Sequence, residues 1–274
     1  MGDCDVRVGQ IYEEIQKHFN ANPRALKRLR NLLTTTYLDV PHNYFHGRVC
    51  LDAGCGATGR AMWSMVHMGA SKVYGIDLDP GYIAPLLAVN QEIRDRIVLH
   101  VGSVTALPYE DNVFDFVHCD GVLHHCPGDE AYRGFRELAR ITKQGGMLYV
   151  TVSGRGGVLN WMTWPFHQLG RRADPLWLER VLSLVVRDQD KLTTLMSALC
   201  PPIFEARFTE KDVRGWFGRL GFTEVLRITR YPSYDNYRQY LAPFYYNYHW
   251  LVSRLLYGEG YIQMRGIKAG RARA

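Results

Sequence analysis

The chain has 274 residues, 47% hydrophobic and 12% aromatic, with a formal net charge of +6. That size suits one domain with insertions, and the composition excludes low-complexity disorder; no run reaches the roughly 18–20 apolar residues of a membrane-spanning helix. The charge sits at the ends, +2 over residues 1–30 and +4 over 254–274, so the body is balanced and lacks the basic face of a nucleic-acid binder.

The N-terminus, Met1-Gly2-Asp3-Cys4, starts no apolar leader, which predicts a cytoplasmic location. Residues 1–46 read as a helical cap. Ile11, Ile15 and Phe19 repeat at helical spacing, and Asn22-Pro23 then starts a second helix carrying Leu26, Leu29, Leu33 and Tyr37. Strand and helix signals alternate over residues 48–153. Strands are predicted at Arg48–Ala53, Lys72–Ile76, Ile97–Val101, Phe114–Cys119 and Met147–Val152, with helices at Thr58–Met68, Gly81–Arg94 and Glu130–Thr142. Gly145-Gly146 is read as the stop of the last helix. Such alternation means an α/β fold, a mostly parallel sheet covered on both faces. Beyond it lie a Trp-containing insert (155–207), a helix at Thr209–Leu220, a strand at Thr223–Thr229, a Tyr-rich insert (231–257) and a final strand at Tyr261–Lys268. The six cysteines include no Cys-x-x-Cys pair and read as reduced thiols.

The strongest motif is Leu51-Asp52-Ala53-Gly54-Cys55-Gly56-Ala57-Thr58-Gly59, between a strand and a helix. Its glycines permit a tight turn and close approach of a ligand to the backbone. Nicotinamide-dependent oxidoreductases share this spacing. An acid just before the first glycine, Asp52, suits a cationic amino group over the loop and would repel a pyrophosphate. A second acid, Asp77, ends the next strand, placed to accept from both hydroxyls of a ribose. Cys119, His124, His125 and Cys126 match no familiar zinc spacing, and no metal is expected.

Asp52, Gly54, Gly56 and Asp77, with Phe114-Asp115 and Gly121-Val122-Leu123-His124-His125, resemble the class I S-adenosylmethionine-dependent methyltransferases. The nearest group is that of ubiquinone/menaquinone biosynthesis and natural-product enzymes. The resemblance implies a single methyltransferase domain over 1–274. Its Rossmann-like seven-stranded sheet would have the order 3-2-1-4-5-7-6 with the last strand antiparallel, under a helical N-terminal cap and lid inserts. It also implies S-adenosylmethionine as cofactor. The loop Asp52, Ala53, Gly54, Cys55 and Gly56 would hold the methionine part, Asp77 the ribose, and Leu78 the adenine face. Ser103 and Val104 would stand at the adenine edge, where the family more often has Gly-Asp-Ala, and Asp120 and Gly121 beside the sulfonium. His124 and His125 are the catalytic candidates, one against the cofactor and one as general base; a purely structural role for the pair stays open.

Acceptor choice is expected from the inserts 155–207 and 231–257. Tyr231, Tyr234, Tyr237 and Tyr240 recur every three residues, as either a core stripe or an aromatic acceptor wall. Trp161, Trp164 and Phe166 suit a facing wall or transient contact with a membrane surface; His167, His249 and Glu259 are lesser acid/base candidates. Asp120-Gly121-Val122-Leu123 stands where base-modifying relatives of this fold carry an Asp-Pro-Pro-Tyr or Asn-Pro-Pro-Tyr element. A small, partly aromatic or apolar acceptor is therefore expected, and no nucleic acid. The alternatives are a nucleic-acid methyltransferase, an oxidoreductase and a non-catalytic cofactor-binding protein. The sequence assigns no oligomeric state, acceptor identity or methylated atom.

Overall fold

A computed structural model describes residues 33–56, 59–78, 94–126, 128–162, 165, 175–187, 192, 206–229 and 251–270. The first part of the cap (1–32), most of the helix expected at 81–94 and residues 231–250 lie outside them, as do Trp164, Phe166, His167 and His249. The elements are α1 (Thr35–Leu38), β1 (Val49–Ala53), α2 (Arg60–His67), β2 (Lys72–Asp77), β3 (Ile97–Val101), β4 (Phe114–Asp120), α3 (Glu130–Ile141), β5 (Thr142–Ser153), α4 (Pro175–Ser183), α5 (Glu210–Arg219), β6 (Phe222–Arg227), α6 (Leu251–Tyr257) and β7 (Tyr261–Lys268).

The seven strands form one sheet in the order β3-β2-β1-β4-β5-β7-β6. β1 to β5 are parallel neighbours, and β7 runs antiparallel to both β5 and β6. This is the expected order and orientation. Strand pairing makes the two faces unlike. One carries Leu51, Ala53, Val117, Cys119, Leu148, Val150, Val152, Ile262 and Met264, all buried in one apolar cluster with Phe135 and Leu138 of α3 and Val213 and Phe217 of α5.

The other face is graded. Its lowest row, Ile97, Val73, Cys50, Phe116, Met147 and Ile267, is apolar. The next row toward the strands' carboxyl ends is Leu99, Gly75, Asp52, His118, Tyr149 and Arg265. Above it, Asp120, Thr151 and Gln263 stand side by side on β4, β5 and β7. Polar side chains thus collect at the carboxyl edge of a single face, where parallel α/β sheets bind ligands.

Two local expectations need correction. Leu33 and Tyr37, expected on one helix, do not share an unbroken one. Thr34 is extended (φ −135°), and its side chain accepts from Tyr37 N–H as the N-cap of α1. A β-branched residue whose oxygen can cap favours a new start over continuation. Nor do Gly145 and Gly146 end α3. The helix stops at Ile141, where Thr142 Oγ1 donates to Leu138 O at 2.7 Å, and β5 begins at once. The glycines instead lie in a bulge between the pairs Phe114/Thr142 and Phe116/Met147, with Gly145 at φ +74°.

Lys268, on β7, locks this corner. Its ammonium donates to Ala139 O (2.7 Å), Arg140 O (3.3 Å) and Thr142 O (2.8 Å), capping the carbonyl end of α3. The half-buried Lys268→Met retains the stem and removes these donors. It should lower unfolding free energy by about 1–3 kcal/mol, measured as a urea midpoint shift at unchanged m-value; an unshifted midpoint rules out the cap.

Candidate ligand site at the carboxyl edge

The glycine loop is held by backbone. Gly54 N–H and Cys55 N–H both donate to Ile76 O on β2, at 2.7 and 3.2 Å, which folds the loop back over the end of that strand. Gly54 (φ +80°) and Gly56 (φ +58°) sit in the left-handed region. A Cβ on Gly54 would also overlap the Val122 side chain, so glycine is required there twice over. Gly56 N–H donates to Asp77 Oδ2 at 2.8 Å, tying the loop to the acid that ends β2. Cys55 is buried and its thiol pushed well up by that burial and then by the nearby Asp52 and Asp77 charges, so it stays protonated. Ala53 is buried behind the loop and Leu78 is half-buried beside it.

The turn after β3 forms the next wall. Gly102 N–H donates to Asp77 O at 2.8 Å. Ser103 and Thr105 share a hydroxyl hydrogen bond of 3.0 Å, and Thr105 N–H donates to Ser103 Oγ. Val104 is buried beneath them. The loop is clamped from α3: Leu107 N–H donates to Glu137 Oε2, and Arg140 bonds Glu137, Tyr109 O, Leu107 O and Asp111. The Arg140 hydrogen bond holds the Glu137 carboxyl below the usual carboxylate range.

At the end of β4, Asp120 is exposed and Gly121 turns at φ +79°. His124 and His125 follow in a short 3-10 turn, both buried, with ring centroids 4.2 Å apart. Ser153 N–H donates to His124 Nδ1 at 3.3 Å. Burial, and then His125, hold the His124 pKa well below the ordinary imidazole value. His124 is thus neutral, its Nδ1 is an acceptor, and the ring proton lies on Nε2.

Sequence reading missed His118. Its Nδ1 lies 2.7 Å from Asp52 Oδ1, and both side chains are buried. The ring stacks on Tyr149, with centroids 5.1 Å apart and planes 6° apart. The Tyr149 hydroxyl bonds Tyr37 of α1 (2.8 Å) and accepts from Thr151 Oγ1 (2.9 Å). The available signal was period-2 register: Phe116, His118 and Asp120 share one face of β4, and His118 pairs with Asp52. Among the described residues no three His, Cys, Asp or Glu side chains cluster to hold a metal ion.

Residues 51–150 match a family described as the methyltransferase domain. The chain is 29% identical over 147 residues to demethylmenaquinone methyltransferase of Halalkalibacterium halodurans, covering 51% of this chain and 57% of that protein. It is 36% identical over 87 residues to the tRNA U34 carboxymethyltransferase of Ectopseudomonas mendocina, covering 31% and 27%. The match therefore spans less than two thirds of these relatives' length. An S-adenosylmethionine dependent methyltransferase from Mesorhizobium loti superposes with a TM-score of 0.51 at 16% identity, over 84% of this chain and 95% of that one. That likeness shows a shared fold.

The strain at Gly54 is separable into two parts. Gly54→Ala should destabilise by about 2–4 kcal/mol. Adding Val122→Ala should recover about 1 kcal/mol by removing the overlap, leaving the positive-φ part. Urea denaturation of the single and double variants reads this; strict additivity of the two changes would sink the overlap.

Proposed function

We propose that this chain, whose residues 51–150 match the methyltransferase-domain family on a seven-stranded 3-2-1-4-5-7-6 sheet, is an enzyme that methylates a small, partly aromatic acceptor using S-adenosylmethionine. The observation that carries this is the pair of carboxylates flanking a loop that admits no side chain at Gly54. Asp52 lies below the glycine loop, and Asp77 is bonded to its last amide. That donor set fits an amino acid's ammonium on one side and a ribose diol on the other. A pyrophosphate would meet negative charge at Asp52, which disfavours the oxidoreductase alternative, as does the antiparallel β7.

The cofactor supplies an electrophilic methyl on a sulfonium sulfur. The protein's part is alignment. Asp52, Ala53, Gly54, Cys55 and Gly56 hold the amino-acid end, Asp77 the ribose, Leu78 the adenine face, and Ser103 with Val104 its edge. Asp120 and Gly121 border the reacting centre. In-line displacement needs the acceptor atom held close and collinear, which binding can supply without chemistry from the protein. Where the acceptor must lose a proton, His125 is the base. His124, neutral and accepting from Ser153, orients the turn that carries it.

The acceptor reading follows from the balanced body charge, the absence of a base-binding element after β4, and likeness to demethylmenaquinone methyltransferases over the core. A ring bearing a hydroxyl is the substrate class this favours. The exposed Trp161 and Trp177 of the first insert suit brief contact with a membrane surface that holds an apolar acceptor.

Titration calorimetry should detect S-adenosylhomocysteine binding, weakened about 10- to 100-fold by Asp77→Ala. With a demethylmenaquinol analogue as acceptor, His125→Ala should cut turnover by about 100-fold or more while that affinity holds. Binding of NAD in place of S-adenosylhomocysteine would overturn the proposal. Cofactor binding with no methylation across an acceptor screen would leave a non-catalytic binding protein.

A further inference from the structure

We propose that His118 is a positioning residue for the cofactor: Nδ1–H holds Asp52 Oδ1, leaving the second carboxylate oxygen for the cofactor's ammonium, and the ring gives up its proton as that ammonium arrives. This rests on the methyl-donor reading above and adds a proton to it.

The geometry is a three-strand relay. Asp52, His118 and Tyr149 are register neighbours on β1, β4 and β5, so their side chains rise side by side from one face. Tyr149 covers one face of the imidazole, and its own hydroxyl is engaged by Tyr37 and Thr151. The ring is thus locked, and its Nδ1 lies 2.7 Å from Asp52 Oδ1. A carboxylate so held has one oxygen committed to His118.

The groups facing His118 are Asp52 from β1, Asp120 from its own strand, Arg60 from α2 and Tyr149 from β5, with Arg265 of β7 next along the row. Burial opposes a charge on the ring. The Asp52 charge and hydrogen bond, then Asp120, outweigh burial and Arg60, so His118 is more basic than an ordinary imidazole in the cofactor-free chain. A ligand ammonium at Asp52 would put two cations on one buried carboxylate. The mobile proton is the one on Nε2, which passes to buffer; Nδ1 keeps its hydrogen and the Asp52 bond. Since the group's pKa is then lower in the complex than in the free chain, binding releases up to one proton. Affinity therefore rises with pH through the interval between the two pKa values.

The full chain is titrated with S-adenosylhomocysteine in two buffers of different protonation enthalpy. At each of several pH values between about 5.5 and 7.5, the buffer dependence of the heat counts released protons. The expected result is a fraction of a proton released and at least about a fivefold gain in affinity across the range. His118→Asn keeps a donor near the Nδ1 position without a titratable ring. It should bind in all buffers with equal heat and with affinity constant within about twofold. Proton release of zero in the wild type overturns the inference even if the variant fails to fold, as does undiminished release in a folded variant. No binding at any pH removes the methyl-donor reading, and this inference with it.

Discussion

Asp52 is 3% exposed, and an ionised carboxylate at that depth needs a partner. It has one in His118, which is itself buried and stacked on Tyr149. Three strands therefore share a polar row in a face that is otherwise apolar one row below. Buried ion pairs seldom add stability over well-packed hydrophobic residues, because desolvation offsets the attraction. This row is better understood as holding charge in place beneath the glycine loop. Through the Tyr149 hydroxyl it also reaches Tyr37, so part of the N-terminal cap is fastened to the same network.

Around that row the carboxyl edge is shaped mainly by backbone. Ile76 O takes two loop amides, Asp77 O takes Gly102 N–H, and Thr151 O takes Gly121 N–H. Each bond fixes a turn where a strand ends, and Gly54, Gly56 and Gly121 supply positive φ in two of them. The loop after β3 adds a side-chain clamp from Glu137 and Arg140. The edge is thus held mainly by backbone hydrogen bonds, to which the Asp77 carboxylate on Gly56 N–H and the Glu137–Arg140 clamp are added.

Much of this was legible in the sequence. Apolar runs ending in Asp52 and Asp77 marked the parallel strands, and the glycine spacing marked the turn between β1 and α2. The strand expected at Tyr261–Lys268 is β7, with the same bounds. The misreadings had local causes. Gly145-Gly146 carries the same signal as a helix stop or a bulge, and only pairing with Phe114 and Phe116 distinguishes them. Thr34 reads as an ordinary helical residue until its hydroxyl is seen capping Tyr37. His118 resembled any strand residue, since its meaning lies in a neighbour 66 positions away.

The sequence by itself determined the strand order's building blocks, the glycine turn and the two acids, because periodicity and φ requirements are local properties. The tertiary structure decided which polar groups share a face and how they are partnered. It gave Asp52 to His118 and turned His124 Nδ1 toward Ser153. It also brought Lys268 to the end of α3. Those assignments depend on register between strands distant in sequence, and register is set by the packing of both sheet faces together.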